Sequence, residues 1–320
     1  MRRRSTLNDV LRRSVRPAAY QRVTLVALVT LGLIIVTGAA VRLTGSGLGC
    51  SDWPNCEQSQ LVPDRGNLHA AIEFGNRLVT IVVGIPVLAT FVGSFRRVPR
   101  RRDLTWWSLG LIVGVVAQVI VGKFVVETDL APNLVIVHFL LSMVLLWNAL
   151  VLYHKAGEPD VGTVHASSDG HLLGAGRALV ALSMWVLVTG TVVTGTGPHA
   201  GDPDTVERLP YFLPDVARLH SVGVIVFCAA TVVLTWHLHR VDAPSPITDA
   251  THRLLGAIVV QGAIGYVQYF TGVPALLVAF HVFGAILVWL AVLEVHHAIA
   301  VSPADAHGDL TERPAVLVQS

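Results

Sequence analysis

Residues 275–297 read ALLVAFHVFGAILVWLAVLEVHH. A run of about 20 mostly apolar residues is what crossing a bilayer requires. In lipid such a run has to be a helix, because no water is present to satisfy the backbone N–H and C=O groups. Seven comparable runs precede it, at about 23–43, 71–94, 104–124, 134–153, 177–196, 216–237 and 254–271. Eight spans of ~20 residues use about half of the chain and leave room only for short loops and tails. The composition agrees: 320 residues, 53% hydrophobic and 14% charged, against roughly a quarter charged in soluble domains. A soluble fold and a disordered chain are both disfavoured. The ~10-residue alternating segments of an outer-membrane barrel are missing. The net charge of +2 gives no reason to expect a nucleic-acid partner. The fold class expected is an all-α membrane protein of eight transmembrane helices.

Basic residues on short loops orient such a chain. The first span follows Arg2, Arg3, Arg4, Arg12, Arg13, Arg16 and Arg22. Its apolar run is longer than a signal-peptide core and no small-residue cleavage site follows, so it reads as a cytoplasmic tail and first span. Arg96, Arg97, Arg100, Arg101 and Arg102 follow the second span, and Arg240 and Arg253 the sixth. The opposite loops are lean: 44–70 has only Arg65, and at 198–215 Arg208 is offset by Asp202, Asp204 and Glu207. Both termini are therefore expected in the cytoplasm, with 44–70, 125–133, 197–215 and 272–274 outside. The loop at 44–70 carries Cys50 and Cys56 around Asp52-Trp53-Pro54. An exterior position permits a disulfide there, and two free thiols are the plain alternative. Cys228, mid-span, reads as a small buried hydrophobe.

The two halves resemble each other. Val36-Thr37-Gly38 recurs as Val188-Thr189-Gly190, and Thr44-Gly45 as Thr196-Gly197. Gln118, Gly122, Thr128 and His138 recur at one offset as Gln261, Gly265, Thr271 and His281. An even number of spans per copy makes this a parallel repeat about an axis along the membrane normal. The expected organisation is a basic tail at 1–22, a four-helix half at 23–153, a linker at 154–176, a second four-helix half at 177–297 and a tail at 298–320.

Of fourteen histidines, ten have plain readings at helix ends, in loops or in the tail. His237, His239, His296 and His297 lie at cytoplasmic helix ends, where polar tips reach water. His154, His165, His171, His252 and His307 lie in or beside cytoplasmic loops or the tail, and His199 in an exterior loop. His138, His220 and His281 differ: each lies near the start of an inward-running helix. The repeat puts Asn76 at the fourth such position, with His69 two helical turns further out. Ionisable groups within membrane helices are costly and usually face the bundle interior, and a histidine pair from facing helices suits axial ligation of haem iron. Histidines that hydrogen-bond across helices are the plain alternative, and a zinc site lacks the close ligand spacing it needs. Glu73 and Arg77, four apart, share a helix face, with Asn76 near it and His69 joining if the helix extends. A buried carboxylate there suits proton transfer; a boundary ion pair is the other reading. Arg42, Arg77, Lys123 and Arg218 sit at outer helix ends, placed either for haem propionates or for lipid headgroups.

Taken together, the eight spans, the duplicated unit, the motif Thr44-Gly45-Ser46-Gly47-Leu48-Gly49-Cys50 with Trp53-Pro54 and Cys56, and the Glu73 motif resemble the haem A synthase family over about 20–300. The resemblance implies oxidation of the C8 methyl of haem O to a formyl group, through two hydroxylations and loss of water, giving haem A for cytochrome oxidase. It implies haem b held by His220 and His281, and a substrate haem in the first half with His138 as ligand. It also implies Glu73 as the catalytic carboxylate and a Cys50–Cys56 disulfide supporting haem transfer or electron flow. Haem O synthase (a protohaem farnesyltransferase), cytochrome oxidase assembly and membrane lipid are the partners implied, and homo-oligomers are compatible with it. Asn76 departs from the family, where many members have His, which leaves the substrate haem with one ligand or with His69 as a second. A dihaem b-type electron carrier with no chemistry of its own would share the histidines without needing Glu73 or the bridge. A transporter would instead need a polar site near the midplane.

Overall fold

The computed structural model describes residues 14–56, 62–64, 66–160, 170–202 and 207–301. The expectations that fall on Arg2, Arg3, Arg4, Arg12, Arg13, Arg65, His165, Asp204 and His307 lie outside the described residues. Among the described residues eight helices follow one another: α1 Pro17–Leu43, α2 Leu68–Arg96, α3 Arg102–Glu127, α4 Pro132–Gly157, α5 Gly170–Thr196, α6 Leu213–Arg240, α7 Ser245–Phe270 and α8 Ala275–Val301. Each predicted apolar run lies within one of them, apart from Thr271 at the end of the seventh. Local chemistry sets the ends. Pro17 and Pro132 open their helices at positions where a missing N–H costs nothing. The Asn67 side chain accepts from the Ala70 N–H and caps α2. Gly45 and Gly272, at φ 66° and 79°, turn the chain away after α1 and α7.

Among the described residues seven helices are long and apolar enough to cross a membrane. The exception is α7, which carries Asp249, His252, Arg253, Gln261 and Gln268 among its apolar residues. The chain is thus an all-helical, multi-pass membrane protein. Its outward faces are apolar, as lipid contact requires: Ile81, Val82 and Ile85 on α2, Val113 and Val116 on α3, and Ile225 and Val233 on α6 are all exposed.

The helices pack as two rings. In one, α1 touches α2, α2 touches α3, α3 touches α4 and α4 returns to α1; α5 to α8 do the same. The rings meet where α1 packs on α8 and α4 packs on α5 and α8. Among the described residues the backbones of the diagonal partners α2 and α4 do not approach closely, nor do those of α6 and α8. Each ring therefore sets these two helices across its centre from one another. The joint between the rings is tight: Trp289 of α8 is fully buried and its indole N–H donates to the Met143 carbonyl of α4 at 2.9 Å.

One end of the molecule gathers the loops after α1, α3, α5 and α7. There the Gly47 N–H donates to the Gly201 carbonyl at 2.9 Å, Leu130 lies against both glycines, and His199 donates to the Val273 carbonyl at 2.7 Å. We call this the disulfide end. At the opposite end two of the basic residues read as orientation signals are structural pins. Arg97 is fully buried and paired with Asp160 at 2.7 Å; Arg101 bridges Asp103 and Glu158. His297, read as a polar tip in water, and His154, read as lying in or beside a loop, are both engaged between helices. Their rings stack at 3.8 Å across α4 and α8, and His154 pairs with Glu294 at 2.9 Å.

Candidate functional site

Four side chains sit alike in the two rings. Each is on an even-numbered helix and leans on a glycine of the helix before it. His138 of α4 faces Gly122 of α3, His281 of α8 faces Gly265 of α7, His220 of α6 faces Gly190 of α5, and Asn76 of α2 faces Gly38 of α1. A Cβ on Gly265 would lie 3.0 Å from the His281 ring, and one on Gly190 would lie 3.1 Å from His220. Glycine is what lets these imidazoles lie flat against a neighbouring backbone. The supporting contacts recur too. Gln118 donates to the His138 carbonyl at 3.2 Å and Gln261 to the His281 carbonyl at 2.8 Å. Thr37 donates to Asn76 Oδ1 at 2.8 Å, and the Thr189 hydroxyl lies 3.1 Å from His220 Nδ1.

These residues suit a haem. The pairs His220/His281 and Asn76/His138 stand on diagonal helices, so the two members of each pair come from opposite sides of their ring. Holding Nδ1 of His220 against Thr189 leaves Nε2 as the nitrogen for a metal, the usual division of labour for a ligating imidazole. Nδ1 of His138 and of His281 is buried without a hydrogen-bond partner. A buried polar group in that condition is costly, which sets these two rings apart from His220. Among the described residues no group of three or more His, Cys, Asp or Glu side chains is placed to hold a bare metal ion.

At the disulfide end of the first ring, Cys50 and Cys56 are bonded to each other. The loop they close rests on α2. Glu73 is buried, 5% exposed, although it is a carboxylate. Its Oε2 accepts the Cys50 N–H at 2.8 Å and its Oε1 accepts from Arg77 Nη2. Arg77 Nη1 donates to the carbonyls of Asp52 and Asn55 at 2.9 Å and of Pro54 at 3.3 Å. Gly49 lies so close to α2 that a Cβ would fall 2.4 Å from the His69 carbonyl group; any side chain there would lift the loop. Helix α2 does extend to His69, whose Nδ1 sits 2.8 Å from the Ser46 hydroxyl.

The outer basic residues divide. Arg42 donates to the Thr194 carbonyl of α5 at 2.9 Å and so ties the two rings together. Lys123 pairs with Glu127 at 3.3 Å and lies over the Trp53 ring at 5.8 Å. Arg218 is exposed and pairs with Asp215 at 3.1 Å. The sequence reading missed the backbone partners of Glu73, Arg77 and Arg42, because carbonyls and N–H groups of an irregular loop leave no residue-type signal. The glycines and threonines beside the histidines were visible in it only as matches between the halves.

The family described as "Cytochrome oxidase assembly protein" (COX15-CtaA) matches residues 21–70 and 67–293. Similar proteins include one named heme A synthase from Lysinibacillus sphaericus, 28% identical over 220 residues, 64% of this chain and 70% of that protein. Another of that name, from Exiguobacterium sp., is 29% identical over 174 residues, 53% of this chain and 56% of that protein. A third, from Geobacillus kaustophilus, is 28% identical over 206 residues, 63% and 65% of the two chains. The aligned stretches thus span about half to two-thirds of these relatives' length.

Proposed function

Because the chain belongs to the COX15-CtaA family of cytochrome oxidase assembly proteins, we propose that it is an integral-membrane oxidoreductase converting the C8 methyl of haem O to the formyl group of haem A. The observation that carries this reading is the buried Glu73 carboxylate. It lies one helical turn from Asn76, at the mouth of the ring that holds His138, in a chain similar to proteins named heme A synthase. An electron carrier needs no such group.

In this reading residues 177–297 hold haem b through His220 and His281, and that haem, when bound, supplies an acceptor for electrons. Residues 23–153 hold the substrate, with His138 as its ligand; Asn76, engaged by Thr37, stands at the facing position. Glu73 takes up a proton from the reacting methyl centre. Each carboxylate oxygen already accepts one hydrogen bond, but an oxygen has a second lone pair free for that proton. Arg42 and Arg77 are spoken for by backbone carbonyls, so of the expected propionate partners Arg218 is the one with an exposed guanidinium. The paired glycine, threonine and glutamine contacts support a parallel duplication of a four-helix unit. The exposed Val259, Val260 and Val267 on α7 support an eighth span. The basic residues at the opposite end support cytoplasmic termini and a site toward the exterior. A farnesyltransferase acting on protohaem has to supply the substrate, and cytochrome oxidase takes the product.

Extraction and chromatography of the pigments tests this in cells that make haem O. Wild-type protein should yield haem A. Glu73→Ala should fold, keep the haem b spectrum and accumulate haem O. Protohaem alone in the wild-type protein would instead mark a dihaem electron carrier, and wild-type haem A output from Glu73→Ala would sink the role given to that carboxylate.

A further inference from the structure

The closest hydrogen-bond partners that hold the Glu73–Arg77 pair onto the loop fall inside the ring closed by the disulfide, with the Gly49 backbone just outside it also turned to Glu73. The Cys50 N–H binds Glu73, and the carbonyls of Asp52, Pro54 and Asn55 bind Arg77; the bridge joins Cys50 to Cys56, six residues on. Both cysteines are buried, packed with Ala70 and Phe74 of α2. The arrangement is reciprocal. Arg77 Nη2 holds one carboxylate oxygen while Nη1 holds the loop, and the loop's Cys50 N–H holds the other oxygen. Glu73 is fixed at two points by two neighbours that also fix each other. A guanidinium does this because its donors are rigidly forked and planar; a lysine ammonium is a single point charge and cannot span the carboxylate and three carbonyls together.

We propose that Arg77 is a positioning residue for Glu73, and that the Cys50–Cys56 bridge serves the reaction by holding its loop in register with that pair rather than by exchanging electrons. The inference rests on Glu73 as the proton acceptor of the preceding reading. Opening the bridge loosens the loop, removes the Cys50 N–H from Oε2 and lets the carboxylate swing toward Arg77. Misplacing a reacting group by about 1 Å costs about a hundredfold in rate.

The test uses the full chain in detergent, with haem b absorbance as the fold control, and the variants Glu73→Gln, Arg77→Lys, Arg77→Gln and Cys50→Ser with Cys56→Ser. Hydrogen exchange over 46–56 should speed up in the Arg77 and the double-serine variants while α5 to α8 stay protected. In turnover of haem O, Arg77→Lys and the double-serine variant should each lose about a hundredfold in kcat with KM little changed. Arg77→Gln combined with the double-serine change should lose no more than the worse of its parents, since both act through one carboxylate. Exchange over 46–56 unchanged in Arg77→Lys would overturn the clamp whatever the protein's activity. Losses that multiply in the combined variant would give the thiols a separate role and overturn the proposal. A wild-type protein that makes no haem A, with the exchange results as expected, would fail the function reading and leave the clamp standing.

Discussion

A histidine in an apolar helix needs a reason, since the lipid offers its ring no partner. His138, His220 and His281 were legible for that reason, and their recurrence at one offset made them a set. What surrounds them was less so. Gly190 and Gly265 make room for the rings, and Thr189 orients His220, but glycine and threonine are common in membrane helices and carry little signal one at a time. Arg77 was legible as the helix-face partner of Glu73, but the loop carbonyls that also take it have no side-chain signature. The histidine assignment has a direct check. Replacing His220 or His281 by Met exchanges an imidazole for a thioether on the iron, so each variant should shift the visible and EPR signals of haem b. Unchanged low-spin signals in both would remove the pair from consideration.

At the scale of elements, all eight helices could be read from apolar runs, because a membrane helix must satisfy its backbone within itself. The loops were harder. Residues 44–56 show glycines and two cysteines in sequence, yet their shape depends on Gly49 meeting the His69 backbone and Gly47 meeting Gly201, contacts between segments far apart in the chain. The seventh helix is the least apolar, since Gln261 is used to hold the His281 carbonyl and Gln268 is also present. Its outward face still carries Val259 and Val260, both more than half exposed, which suits contact with lipid. Cysteines placed at Ser245 and at Thr271, both exposed at opposite ends of α7, should therefore react with an impermeant maleimide from opposite sides of the membrane. Thr271→Cys should label from the same side as a cysteine at Asp52. Labelling of both positions from one side would mean that α7 does not cross.

The whole molecule follows from which helices were left to meet. Within each half, chain neighbours pack in order and the last returns to the first, as short loops favour. The sequence led only to two four-helix halves, not to this order. The joint between the rings was not legible either, because apolar membrane helices look alike on every face and association between them rests on packing detail. Here α1, α4, α5 and α8 make the joint, closed in the middle by Trp289 on the Met143 carbonyl, at the disulfide end by Arg42 on Thr194, and at the other end by His154 with Glu294 and His297. Three independent fastenings along the depth of the joint should hold the halves together without the covalent link. Residues 1–165 and 166–320 made as separate chains should therefore co-purify in mild detergent through a tag on either one, with haem b on the second. Trp289→Ala removes a fully buried side chain, a loss of about 3–5 kcal/mol in comparable cores, and should release a substantial fraction of the untagged half. Halves that separate completely without that substitution would show that the linker, rather than the joint, keeps the two rings side by side.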